Sequence, residues 1–157
     1  MHGVERERAF LDYFKSCLAC KFVLPFKVRY DVEDIRGGDR TKYYLLHVSN
    51  HVKAVLLMKE VMWPLGDEEG TFDFSGESQG VLISSTPTVE ELESILLREF
   101  KGKELGFDEL REKTWMLPFI EKHYREVVKN LEGKNVTLHR ITSKRTGISG
   151  QDRIRFK

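Results

Sequence analysis

The end of the chain constrains its fold most. PFIEKHYREVVKNLE, residues 118–132, keeps Ile120, Tyr124, Val127, Val128 and Leu131 on one face of a 3.6-residue period. VTLHRI, the polar stretch TSKRTGISGQD and RIRF follow it. Val136 and Leu138, and later Ile154 and Phe156, alternate with polar residues, the two-residue period of strands with one buried side. A single amphipathic helix and a lone two-stranded ribbon are each marginal in water. They must pack on each other and on what precedes them.

Two more helices are predicted there. Thr88 is a helix N-cap, and Glu91 three residues on completes a capping box. Val89, Leu92, Ile95, Leu96 and Phe100 form the buried stripe of that helix, and Gly102 stops it. Phe107–Trp115 reads as a second helix, Leu117-Pro118 as a turn, with Pro118 near the first position of the third helix, where its missing N–H costs nothing. Three helices followed by a ribbon with a basic loop is the layout of a winged helix-turn-helix.

Charge agrees with that layout. The whole chain is only +1, but residues 119–157 hold ten Lys/Arg against four Asp/Glu. At 100° per residue Lys122, Arg125 and Lys129 lie within about 60° of one another, opposite the apolar stripe. Such a helix can bury one side and offer the other to a major groove, where Arg and Lys read guanine edges or hold phosphates. The loop adds Lys144 and Arg145 among Ser143, Thr146, Gly147, Ser149 and Gly150, and the strands add Arg140, Arg153 and Arg155. These can follow the phosphate backbone or enter the minor groove. Against this, Glu121, Glu126 and Glu132 dilute the helix, and a charged stripe is often simply solvated. Residues 1–86 are net −2 and residues 87–157 net +3 (eleven Lys/Arg and thirteen Asp/Glu; fifteen and twelve), so contact with an anionic partner is assigned to the second part.

The first part is less easily read. Glu5–Ala19 is predicted as an amphipathic helix with Phe10, Phe14, Cys17 and Leu18 as its stripe, which makes Cys17 a core residue. Phe22–Tyr30 is a half-buried strand with Pro25 at an edge or strand start, and Thr41–Ser49 is apolar on both faces, as in a strand covered on both sides. The two form a hairpin around the Gly37-Gly38-Asp39 turn signal. Asn50 is the predicted N-cap of a helix over 51–63 that is apolar nearly all round, leaving Lys53, Lys59 and Glu60 as its main polar positions. That helix must be buried on more than one side, which two strands and one other helix do not provide. The cover must be a second copy of the chain, the following segment or another polypeptide, and a second copy is the expected one. The organisation is therefore α+β: an α-β-β-α dimerisation unit over 1–66, an acidic Gly-rich junction with a possible hairpin over 67–86, and a winged helix-turn-helix over 87–157.

Chemistry-bearing motifs are sparse. No G-x-G-x-x-G, P-loop, H-E-x-x-H or G-x-S-x-G occurs, so no enzyme, cofactor or metal is expected. Cys17 and Cys20 form a lone C-x-x-C without a second pair, and His47 and His51 lack further ligands. His123 and His139 read as surface or phosphate contacts, and Glu90, Glu91 and Glu93 as charges that suit a helix N-terminus. No apolar run approaches the roughly 18 residues of a membrane span, and no signal-peptide core opens the chain. The expected location is cytoplasmic.

YYLLHVSNHVKAVLLMKEVMW, with FVLPFKVRY before it, resembles the closing strand and helix of the three-Cys-motif partner (TcmP) family. PFIEKHYREVVKNLE with SKRTGISGQDRIRF resembles that family's C-terminal winged helix, of the type called GMT-like. The resemblance covers most of residues 20–157. It implies a methyltransferase-type fold of which residues 1–63 would be only the last strands and helix, and a three-cysteine, radical-SAM-like protein as partner. The nucleotide-binding strands and Gly-rich turn of that fold do not occur here. The expected function is duplex DNA binding, regulatory or accessory, by a homodimer. The alternatives are a protein-interaction or scaffold module of a three-Cys-motif system, and a non-catalytic remnant of a methyltransferase-like enzyme.

Overall fold

The computed structural model describes residues 3–29, 41–65, 88–141 and 147–157, and the chain divides into two units, Met1–Gln79 and Gly80–Lys157. The fold is mixed α+β, and each unit carries its own small antiparallel sheet. The hairpin expected within 67–86, the turn at Gly37-Gly38-Asp39 and the tip of the basic loop lie outside the described residues.

In the first unit a helix α1 (Gly3–Cys17) precedes the strands β1 (Phe22–Arg29) and β2 (Thr41–Ser49). The strands pair antiparallel, Leu24 opposite His47 and Phe26 opposite Leu45. Pro25 stands opposite Leu46 in a two-stranded sheet, where both strands are edges and a missing N–H is tolerated. The helix α2 (Val52–Met62) follows and packs on the hairpin, and a 3-10 turn (Trp63–Leu65) continues it.

Three sequence expectations change in this unit. Asn50 does not cap α2: His51 holds the N-cap position without a side-chain bond, and its N–H donates to Ser49 Oγ at 3.0 Å. The Asn50 carboxamide oxygen accepts instead from the Lys21 N–H at 3.1 Å, which closes the hairpin where Phe22 meets Ser49. The α1 stripe is reversed. Leu11 is its buried residue, whereas Phe10 is 56% and Phe14 42% exposed and Cys17 lies on the surface. The third change concerns cover. In α2 the buried positions are Val55 and Lys59, the second expected to be polar surface, while Leu57 is 65% and Val61 53% exposed. Tyr43, Leu45 and Val48 of β2 are also about half exposed, so neither strand nor helix is covered on both sides by described residues.

The second unit follows its sequence closely. The helix α3 (Val89–Phe100) opens on the predicted capping box: Thr88 Oγ1 accepts from the Glu91 N–H and the Glu91 carboxylate from the Thr88 N–H, both at 3.2 Å. Gly102 at φ 75° ends it, and Gly133 at φ 80° ends the later helix α5 (Glu121–Leu131) in the same way. Glycine reaches this left-handed region without the Cβ clash other residues meet. Between them lie β3 (Glu104–Gly106) and α4 (Phe107–Lys113), shorter than the predicted Phe107–Trp115. Pro118 sits in the turn ahead of α5, whose N-cap is Ile120; the His123 Nδ1 accepts from the Ile120 N–H at 3.3 Å, so His123 acts as a cap.

The strands β4 (Val136–His139) and β5 (Arg153–Phe156) form the predicted ribbon, and β3 joins it on the far side of β5 in the order β3-β5-β4. Leu105 pairs with Ile154 and Val136 with Phe156, all facing one core with Leu92, Leu96 and Phe100 of α3, Phe107 and Leu110 of α4, and the α5 stripe. All five residues predicted for that stripe are buried.

Candidate nucleic-acid interface

The apolar stripe of α5 decides which of its residues reach solvent. With Tyr124, Val127, Val128 and Leu131 in the core, Lys122, Glu126, Lys129 and Asn130 are exposed. Lys122 and Lys129 are seven residues apart, two turns along one face, and Glu126 stands between them.

Arg125 does not join them. Its Nε donates to Glu121 Oε1 at 2.7 Å and its Nη2 donates to the same oxygen. Its Nη1 donates to the Ile148 carbonyl, and the guanidinium lies 5.1 Å from the centre of the Phe107 ring. Glu121 is shared with Arg111. A planar fork that satisfies a carboxylate, a carbonyl and a ring face at once is a structural group here. Arg125, expected at the major groove with Lys122 and Lys129, is thus engaged in contacts within the unit.

Arg140 is likewise occupied. It grips Glu132 bidentately, Nη1 to Oε1 at 2.7 Å and Nη2 to Oε2 at 2.8 Å, joining β4 to the end of α5. The hydrogen bond from Arg140 holds the Glu132 carboxyl below its ordinary range, and Glu132 in turn raises the guanidinium. Arg153 donates from Nε to Glu104 at 2.9 Å across the sheet but keeps its side chain 59% exposed. Arg155 is exposed on the same strand, with Ile154 and Phe156 facing inward between and after the two arginines. Lys144 and Arg145 lie outside the described residues. Of the six described candidates, the structure thus leaves Lys122, Lys129, Arg153 and Arg155 at the surface and assigns Arg125 and Arg140 to internal contacts.

No family model, curated protein or solved structure matches the chain. The likeness to the three-Cys-motif partner family therefore rests on the quoted strings, and the functional reading on geometry.

That geometry includes groups the sequence did not single out. Asp152 is 3% exposed, with Oδ1 accepting from the Ile141 N–H at 3.0 Å and Oδ2 from the Ser149 N–H at 2.7 Å. The first two amides of α4, left without helical partners, donate to the return of the loop: Phe107 to the Asp152 carbonyl and Asp108 to the Gly150 carbonyl, both at 2.9 Å. Ile148 is buried in the core. Asp side chains often bond nearby backbone amides, as Asp152 does with Ser149, but its bond to Ile141 eleven residues back has no local signal in the sequence.

Other candidates do not converge. Cys17 and Cys20 are unbonded thiols, and among the described residues no group of three or more His, Cys, Asp and Glu could hold a metal ion. Among them, too, no helix is long and apolar enough to cross a membrane.

Proposed function

We propose that Gly80–Lys157 is a winged helix-turn-helix that binds duplex DNA as a regulatory or accessory protein, and that the first unit pairs it with a second copy. The observation that carries this reading is the element order α3-β3-α4-α5-β4-β5 with sheet order β3-β5-β4. In that arrangement α5 is the third helix, packed on the first two and followed by the ribbon, with Lys122 and Lys129 outward. Lys122 and Lys129 serve the major groove. Lys144 and Arg145, by their place in the sequence between β4 and β5, serve the phosphates with Arg153 and Arg155. No catalytic step belongs to the reading.

The test is a duplex titration with intact protein at several salt concentrations. Each phosphate-bound cation contributes about 0.9 to the slope of log K against log salt. Lys122→Ala/Lys129→Ala and Lys144→Ala/Arg145→Ala are each expected to make the slope shallower by about two per protomer. Absence of binding at low salt overturns the reading.

The pairing of Arg125, Arg140 and Arg153 with carboxylates favours a second reading, in which this surface grips another protein. Such a complex would depend weakly on salt and survive the lysine substitutions.

A further inference from the structure

Three glutamates lie on α5 or at its end, and two of them are taken up inside the unit. Glu121 meets Arg111 and Arg125, and Glu132 at the C-cap meets Arg140. Glu126 is different. It lies on the exposed face with Lys122 one turn before it and Lys129 one turn after, and among the described residues no cation is bonded to it. The buried stripe fixes that place, because Tyr124, Val127 and Val128 around it belong to the core.

The position is unfavourable for a helix that meets a polyanion. Each phosphate of a duplex repels a carboxylate, so a solvated acid at the centre of such a face weakens binding to every duplex alike. The exception is a groove that offers it a hydrogen-bond donor. In the major groove the donors are the exocyclic amino groups of cytosine and adenine. Adenine sets its N7 acceptor beside the amino group, which opposes a carboxylate and suits an amide, whereas cytosine presents N4 with no acceptor of its own beside it. Lys122 stands four residues from Glu126, about 6 Å along the helix axis. One base pair rises about 3.4 Å, so the two side chains address base pairs no more than about two steps apart.

We propose that Glu126 is the specificity-determining residue of α5: its carboxylate accepts from the N4 amino group of a cytosine in the major groove and disfavours duplexes that present another base there. The inference rests on the DNA-binding reading above and adds a class of target to it, a duplex with a C·G pair facing Glu126 and a guanine within reach of Lys122. Lysines alone hold phosphates or any guanine and discriminate little. A carboxylate that repels when its donor is missing supplies the rejection that specificity needs.

Selection from a randomised duplex pool by the intact chain, by Glu126→Ala and by Glu126→Gln tests this. Glu126 is exposed, so neither variant removes a buried contact, and circular dichroism checks that helix content is unchanged. Duplexes selected by wild type should share one C·G pair, and changing that pair to T·A should weaken wild-type binding about tenfold or more. In Glu126→Ala the two duplexes should bind within about twofold of each other, the T·A duplex more tightly than by wild type, since the repulsion is gone and the other contacts stay. Glu126→Gln should move the preference at that position to adenine, whose N6 and N7 an amide meets bidentately. If Glu126→Ala tightens both duplexes by the same factor, or keeps the wild-type ratio between them, the carboxylate discriminates nothing and the proposal is overturned. Wild-type binding without a shared C·G pair overturns it as well and leaves the DNA-binding reading standing. A wild-type chain that binds no duplex removes both.

Discussion

Tyr124 shows how a polar group is kept in this core. Its phenol is 1% exposed and bonds to Thr114 Oγ1 at 2.8 Å, while the Thr114 hydroxyl donates to the Leu110 carbonyl at 2.7 Å. Burial pushes the Tyr124 phenol up to about 12, against smaller opposite effects of the Thr114 hydrogen bond and the Arg111 charge. The neutral phenol is the form the fold prefers. Its contribution is fully present below the unfolded value near 10 and is lost as pH rises from there to about 12, because the unfolded chain ionises first. A two-unit difference corresponds to about 2–3 kcal/mol. Urea unfolding at pH 9 and pH 11.5 should therefore show a larger alkaline loss in wild type than in Tyr124→Phe, with the variant about 1 kcal/mol less stable at neutral pH. Equal alkaline losses would contradict the assignment. The arginines make the opposite point about charge. Arg140→Ala should lower stability and leave the salt slope of duplex binding unchanged, whereas Lys129→Ala should leave stability unchanged and lower the slope by about one. With Arg140 in place, the Glu132 carboxyl lies below its ordinary range, so the pair's contribution is present above the unfolded carboxylate value and disappears as pH falls through the lower folded one.

At the scale of elements, what was legible is what repeats or caps. The α5 stripe, the Thr88–Glu91 box, the stop at Gly102 and the bounds of β2 and β5 each came from a local pattern that the packing then used. The three-residue β3 was not legible, because alternation needs more than one inward position to show and β3 has only Leu105. Its pairing with β5 is long-range, Leu105 opposite Ile154, and no local signal encodes it. The orientation of α1 failed for a related reason. Phe10, Phe14 and Cys17 make as good a stripe as the face that carries Leu11, and periodicity alone does not say which side meets the sheet. At the candidate interface, charge and spacing did not show which cations are engaged within the unit, because Glu121 and Glu132 meet Arg125 and Arg140 only in the fold, while Arg153 meets Glu104 with its side chain still exposed. Leu105→Ala measures β3 directly. A residue in an exposed loop would cost under about 0.5 kcal/mol, whereas a fully buried leucine should cost about 2–4 kcal/mol in denaturant unfolding. Thr88→Ala should cost about 1 kcal/mol through the lost cap.

At the scale of the whole molecule the two units differ in how much apolar surface they hide. Among the described residues the second unit buries fifteen core side chains in one cluster, and its exposed large hydrophobics are Met116 and Ile141. The first buries Leu11, Leu24, Phe26 and Val55, while Phe10, Tyr13, Phe14, Tyr43, Leu45, Val48, Leu57 and Val61 are all at least 42% exposed. Scattered exposed leucines are ordinary, but more large hydrophobics outside than inside is the pattern of a surface that is covered in use. A second copy is the occupant that the DNA reading favours, because a two-fold pair presents two α5 helices and two ribbons to one duplex. The second binding event then becomes intramolecular, and affinity gains by about 10²–10⁴ without a new contact. Equilibrium sedimentation of the intact chain should give a dimer. Leu57→Glu with Val61→Lys tests the face itself: the two residues lie four apart on the exposed side of α2, so the charges replace no buried contact within the unit. The double variant should sediment as a monomer with unchanged helix content, and its duplex affinity should fall at least about tenfold, with the salt slope roughly halved as one protomer's phosphate contacts are lost. A monomeric wild type that binds duplex with the full slope would separate the two claims, leaving the second unit as the whole of the DNA-binding site.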